Sequence, residues 1–231
     1  GLILRDQVAT QGMNSQQCLK ATESLIDTQV MLHQVDLNKA GLTDLSRHDG
    51  YLERQLSRWK KQVDTATTRD VSLFDELHAA LSSGIPDVTA KPGLAHGDYR
   101  FDNVVLNANY EVSAVLDWEL CTIGDPVADF IWSLCYWAEP EDQQTWLLSP
   151  PTKNPLFPRR KAVVDIYTQI TGNSLENLGW YTAFSWWKQA CIVEGVYSRM
   201  QHGASGGMKI ESLDLLGQRV IGYLERAQKL I

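Results

Sequence analysis

The spacing of apolar residues switches period along this chain, and those switches constrain its fold more tightly than any other feature of the sequence. Up to about residue 82 the spacing is helical. Asn14 and Ser15 are N-cap residue types. Behind them Cys18, Leu25 and Leu32 recur at seven positions, as do Leu19, Ile26 and His33, which predicts a helix with one apolar stripe ending near His33. After a break at Gly41-Leu42-Thr43, a second predicted helix carries Leu52, Leu56, Trp59 and Val63 on one face. A third carries Val71, Phe74, Leu77 and Leu81 and stops at the Ser-Ser-Gly-Ile-Pro run of residues 82–86. Short β-runs then take over: Gly93-Leu94-Ala95, Val104-Val105-Leu106 and Val112 to Leu116, with a hairpin turn at Asn107-Ala108-Asn109-Tyr110. Asp125-Pro126 restarts the helical period, Asp as N-cap and Pro at the first helical position, for a helix reaching about Trp137. A proline-rich loop over 140–158 leads to three further helices near 159–171, 175–201 and 211–230, the last two hinged by the glycine-rich run 203–207. The first dozen residues read as a loop entering the domain. The expected fold is mainly α with a small β-ribbon, an α+β body.

Composition excludes several classes of function. The chain has 231 residues, 44% of them hydrophobic, enough for one sizeable core. Its net charge of −7 argues against a nucleic-acid partner, because a phosphate backbone rewards clustered Lys and Arg. No stretch approaches a membrane span and no signal peptide opens the sequence, so no membrane partner is expected. Cys18, Cys121, Cys135 and Cys191 lie far apart with no C-x-x-C pair, and read as buried thiols of a cytoplasmic protein.

The polar chemistry gathers in the β-ribbon. His96-Gly97-Asp98-Tyr99-Arg100-Phe101-Asp102-Asn103 is followed by the hairpin and then Leu116-Asp117-Trp118-Glu119. An acid, an amide five residues later and a second acid beyond a hairpin are what metal-assisted phosphoryl transfer requires. One carboxylate orients and deprotonates the attacking hydroxyl, while an amide oxygen and another carboxylate hold Mg²⁺ against nucleotide phosphates.

These residues resemble the aminoglycoside phosphotransferase and choline kinase superfamily, relatives of protein kinases. His96-Gly97-Asp98 with Asn103 is similar to the kinase H-R-D-x-x-x-x-N loop, with Gly97 in place of Arg. Asp117 resembles the metal aspartate, followed here by Trp-Glu rather than Phe-Gly, and Gly124-Asp125-Pro126 with Asp129 resembles the block that follows. The wording His-Gly-Asp-Tyr-Arg-Phe-Asp-Asn and Leu-Asp-Trp-Glu is similar to a subgroup found fused to, or alongside, acyl-CoA dehydrogenases. The resemblance implies the C-terminal lobe of a protein-kinase-like fold over residues 1–231. It implies Asp98 as catalytic base, Asn103 and Asp117 as magnesium and nucleotide ligands, and His96 and Asp129 as supports of the loop. Arg100 and Glu119 are open, each a candidate for substrate or phosphate contact and each a candidate for local ion pairing. Asp125 reads as an N-cap and His33 as a core or capping histidine. The Trp180-to-Trp187 helix reads as core, with one or two rings available to an acceptor pocket.

A phosphotransferase of this kind also needs a glycine-rich hairpin over the phosphates and a strand lysine paired with a helix glutamate. Neither is found, and the 203–207 run is not a Walker loop. The chain is therefore expected to begin almost at the hinge, with the nucleotide-binding N-terminal lobe of the same protein absent from it, and to fold but not catalyse alone. The expected function is ATP-dependent phosphoryl transfer to a hydroxyl of a small acceptor such as an aminoglycoside, amino alcohol or hydroxyacyl compound, with ATP and Mg²⁺ as cofactors. The competing classes are a non-catalytic binding or scaffold module, against which the intact Asp98, Asn103 and Asp117 speak, and a metal-dependent hydrolase, weakened by the lack of a His-rich ligand set.

Overall fold

The computed structural model describes residues 1–47, 49–66, 68–87, 91–142, 150–203 and 212–231. In chain order its elements are α1 (Ser15–His33), α2 (Tyr51–Ala66), α3 (Leu73–Ser83), β1 (Gly93–Ala95), β2 (Val104–Leu106), β3 (Val112–Val115), β4 (Thr122–Gly124), α4 (Pro126–Cys135), α5 (Arg160–Thr171), α6 (Leu178–Gln201) and α7 (Leu213–Gln228). They divide into two compact units, Gly1–Asp49 with Thr89–Glu176, and Gly50–Val88 with Asn177–Ile231. The expected mainly helical body with a small β portion is what forms. Among the described residues no helix is long and apolar enough to cross a membrane.

In the first unit α1 starts where its sequence demands. Asn14 accepts from the Gln17 amide at 2.9 Å and Gln17 returns the bond to the Asn14 amide at 2.9 Å, a capping box that satisfies donors the first turn leaves open. The buried face is Cys18, Ala21, Thr22, Leu25, Ile26, Gln29, Val30 and His33. Leu19, assigned to the stripe from its spacing, is instead 42% exposed, because the stripe is carried by the 18-21-22-25-29 rows. α4 is capped as expected, Asp125 Oδ1 accepting from the Val127 amide at 2.8 Å, with Pro126 at the first helical position. It ends at Cys135, two residues short of the expected Trp137.

The β-residues form two separate two-stranded sheets. β2 pairs antiparallel with β3, and β1 with β4, Leu94 opposite Ile123. β4 was not expected, because Thr122-Ile123-Gly124 holds one large apolar residue and no run that reads as a strand. β3 stops at Val115 rather than Leu116. The expected entry loop also pairs, Leu2 and Leu106 exchanging backbone hydrogen bonds of 2.8 and 2.7 Å, and Leu4 is fully buried. Gly93 lets β1 approach the end of α1 closely: a Cβ there would lie 2.4 Å from the His33 carbonyl oxygen.

The second unit packs α2, α3 and α7 around α6. Trp180, Phe184, Trp187 and Cys191 recur at three and four residues along α6 and are all buried, so the Trp-rich helix is core as its spacing indicates. The two buried indoles of α6 find partners, Trp187 Nε1 donating to Phe74 O and Trp180 Nε1 to Leu81 O, both at 3.1 Å. Glu194 is fully buried and held by the Arg69 guanidinium. Of the expected hinge, residues 204–207 lie outside the described residues. All four cysteines are free, but only Cys18 and Cys191 are buried, against the expectation for all four; burial pushes the Cys18 thiol up to about 11.

Candidate active site

The segment after β1 is shaped by His96, which is fully buried. Its Nε2 lies 2.8 Å from Leu116 O, a pure acceptor, so Nε2 carries the proton. Nδ1 is then free to accept from the Asp98 amide at 3.2 Å. One neutral ring thus ties the start of the loop to the residue before Asp117. Gly97 sits at φ +85°, and a Cβ there would lie 2.7 Å from Leu120 O, so no other residue fits without displacing backbone.

Behind the loop stands Asp129, one turn into α4 and 3% exposed. Its carboxylate accepts from the backbone N–H of His96 at 3.2 Å and of Gly97 at 2.8 Å. Two side chains of α1, four residues apart on its buried face, supply further donors: Gln29 Nε2 at 3.2 Å and His33 Nε2 at 3.0 Å. Burial pushes the carboxyl up, but the His33, Gly97 and Gln29 hydrogen bonds and the His33 charge outweigh it and bring Asp129 down to about 2. Tyr99 adds a second tether, its hydroxyl donating to Leu25 O at 2.9 Å. Phe101 anchors the far side against Phe157, ring centroids 5.5 Å apart.

On this frame the loop brings Asp98 and Asn103 together. Asn103 Nδ2 donates to Asp98 O at 2.8 Å and to Asp98 Oδ2 at 3.0 Å. Among the described residues nothing donates to Asp98 Oδ1, and Asn103 Oδ1 accepts no hydrogen bond. Arg100 turns inward. Its Nε lies 3.4 Å from Asp98 Oδ2 and its Nη1 3.3 Å from Asp102 Oδ2. Both nitrogens are buried, and both contacts are ion pairs without hydrogen-bond geometry. Burial pushes the Asp102 carboxyl up against the lowering pull of Arg100.

Asp117 follows the residue whose amide donates to Asn103 O at 2.8 Å, which fixes its place beside the loop. It is exposed, holds φ 62° and ψ 62°, and caps nothing with its side chain. Such a left-handed conformation is unusual for any residue but glycine, and Asp tolerates it better than most. Glu119, in the 3-10 turn Trp118–Leu120, is exposed and makes no ion pair with a described residue. Among the described residues no group of three or more His, Cys, Asp or Glu side chains could hold a metal by itself. A magnesium ion fits the donors present all the same. It binds hard oxygens, keeps several waters and shares its coordination with substrate phosphates, needing few protein ligands. The uncommitted Asn103 Oδ1 and the uncapped Asp117 carboxylate are oxygens of that kind.

Sequence reading missed Gln29 and His33 as partners of Asp129, and Tyr136, whose ring lies 4.8 Å under the Arg100 guanidinium carbon. The available signal was two polar residues at i and i+4 on a face apolar but for Thr22. Nothing in the local sequence pointed to Tyr136.

A helical body whose buried aspartate holds a His-Gly-Asp loop by its backbone is what the resemblance to kinase-like phosphotransferases implies, and comparison with known proteins gives the family. The phosphotransferase enzyme family matches residues 3–148, and the chain belongs to that family. A solved structure assigned as an aminoglycoside phosphotransferase from Ralstonia eutropha JMP134 superposes with a TM-score of 0.83 and 28% identity, covering 100% of this chain and 70% of that one. Choline kinase from Cryptosporidium parvum Iowa II superposes with a TM-score of 0.59 at 13% identity, over 100% of this chain and 69% of that one, a likeness of fold alone. Acyl-CoA dehydrogenase family member 11 of Gallus gallus is 34% identical over 183 residues, 75% of this chain and 23% of that protein. The chain spans about a quarter of the length of the curated relatives it matches.

Proposed function

We propose that this chain carries the catalytic loop of an ATP-dependent small-molecule kinase, acting in a protein that also holds a nucleotide-gripping lobe. The observation that carries the reading is the treatment of Asp98. Its Oδ2 is fixed by Asn103 at 3.0 Å while Oδ1 is left to an incoming group, on a loop held by four hydrogen bonds to Asp129 and His96. A carboxylate so oriented suits a general base for a hydroxyl. As the acceptor oxygen bonds to the γ-phosphorus and the bond to the bridging oxygen of ADP breaks, the hydroxyl proton passes to Asp98. Asn103 Oδ1 and Asp117 are the residues that would hold Mg²⁺. When bound, that ion supplies charge neutralisation on the phosphates. Asp129 acts at one remove, by holding the His96 and Gly97 amides. Glu119, exposed beside Asp117, is the candidate for contact with acceptor or phosphate.

The acceptor is a small alcohol: an aminoglycoside, an amino alcohol or a hydroxyacyl compound. The acyl-CoA dehydrogenase relatives favour the last. Steady-state kinetics of the full-length protein test the base. Asp98→Asn should lower kcat by about 10²–10⁴-fold with the nucleotide KM little changed. Near-normal turnover by Asp98→Asn would remove Asp98 from the role.

A further inference from the structure

We propose that Arg100 is a positioning residue for Asp98 rather than a contact for substrate or phosphate. The inference rests on Asp98 being the base. Arg100 has five N–H donors, and none makes a hydrogen bond to a described residue. Its guanidinium is nonetheless in an orderly setting. Nε and Nη1 are buried, 3.4 Å from Asp98 Oδ2 and 3.3 Å from Asp102 Oδ2, and the group lies over the Tyr136 ring at 4.8 Å. Only 20% of the side chain is exposed, so its charge is spent inside the loop.

The consequence falls on one oxygen. Asp98 Oδ2 receives Asn103 Nδ2 on one side and the Arg100 charge on the other, which sets the carboxylate plane and presents Oδ1 to the acceptor. Asp102 shares the guanidinium, so Arg100 spans both acids instead of closing a bidentate fork on either. That spanning explains why the ion-pair distances are met and hydrogen-bond geometry is not. A lysine would keep the charge but lose the planar fork that spans the two acids over the Tyr136 ring, so it should position Asp98 only in part. Arg100, Asp102, Gln29, Tyr136 and Trp137 line one pocket, into which the space vacated in Arg100→Ala would open.

The test uses the full-length protein. Arg100→Ala should lose kcat roughly 100-fold, the scale of a misplaced catalytic group, with KM for nucleotide and acceptor within about threefold of wild type. Added guanidinium, at non-denaturing concentration, should restore at least about tenfold of that loss, and urea, a neutral molecule of the same shape, should restore none. Three results would overturn the proposal: unchanged kcat, a loss confined to KM, or equal restoration by urea. If Arg100→Ala shows no melting transition, Arg100→Lys and Arg100→Met decide, Lys turning over faster than Met if the charge positions Asp98 and no faster if it does not. Asp98→Asn is assayed beside them. Full turnover by that variant would sink the base assignment itself, whereas a dead Asp98→Asn with normal Arg100 variants would sink only this inference.

Discussion

At the scale of single residues the site depends on positions where one side chain, or none, will fit. Gly97 is the clearest: φ is +85° and the space where a Cβ would go is taken by Leu120 O at 2.7 Å. Left-handed strain for a non-glycine residue and the backbone displacement together should cost about 1–3 kcal/mol in Gly97→Ala. Thermal melting checks this, and a variant that melts with wild type would show that the loop yields more easily than its packing implies. Candidate positions at this scale were legible. Asp98, Asn103 and Asp117 were picked out by the spacing of acid, amide and acid, and Asp125 by the Asp-Pro pair at a helix start. Arg100 was not resolved, because whether an arginine points inward depends on Tyr136 and Asp102, and only the second lies within the loop.

At the scale of elements, α1 and α4 hold the loop in place from behind. Four donors converge on Asp129, two from α1 and two from the backbone after β1. These partners stand 32 to 100 residues away in sequence, which is why helix positions were readable and this convergence was not. The same reason hides β4: Thr122-Ile123-Gly124 holds a single large apolar residue, and only its pairing with β1 makes it a strand. The depressed Asp129 carboxyl gives a pH signature. Its folded value of about 2 lies below the ordinary 3.8, so the stabilisation is fully present above about pH 4 and is lost as pH falls through about 2. Urea unfolding across that window should show roughly 2 kcal/mol of lost stability assignable to this group. Asp129→Asn should be about 3–5 kcal/mol less stable at neutral pH, since buried donors and the His33 charge lose their partner, and should lack that part of the acid dependence. Identical acid profiles for the two proteins would show that the carboxylate is not held as described.

At the scale of the whole molecule, the family, the helical body and the ordered motif together make phosphoryl transfer the reading to test. Among the described residues the seven α-helices were legible from the 3.6 period and from caps, and the Trp-rich core of α6 from its three- and four-residue spacing, whereas the 3-10 turns were not. On the proposed reading the Asp98–Asn103 loop and Asp117 form one nucleotide-and-magnesium site. The most direct measurement is isothermal titration of the full-length protein with ATP, with and without Mg²⁺, beside Asp117→Ala. Binding should require magnesium in the wild type and be lost in Asp117→Ala, because a carboxylate is removed where phosphate charge must be neutralised. Binding of equal strength by Asp117→Ala, or no magnesium-dependent binding by the wild type, would contradict it.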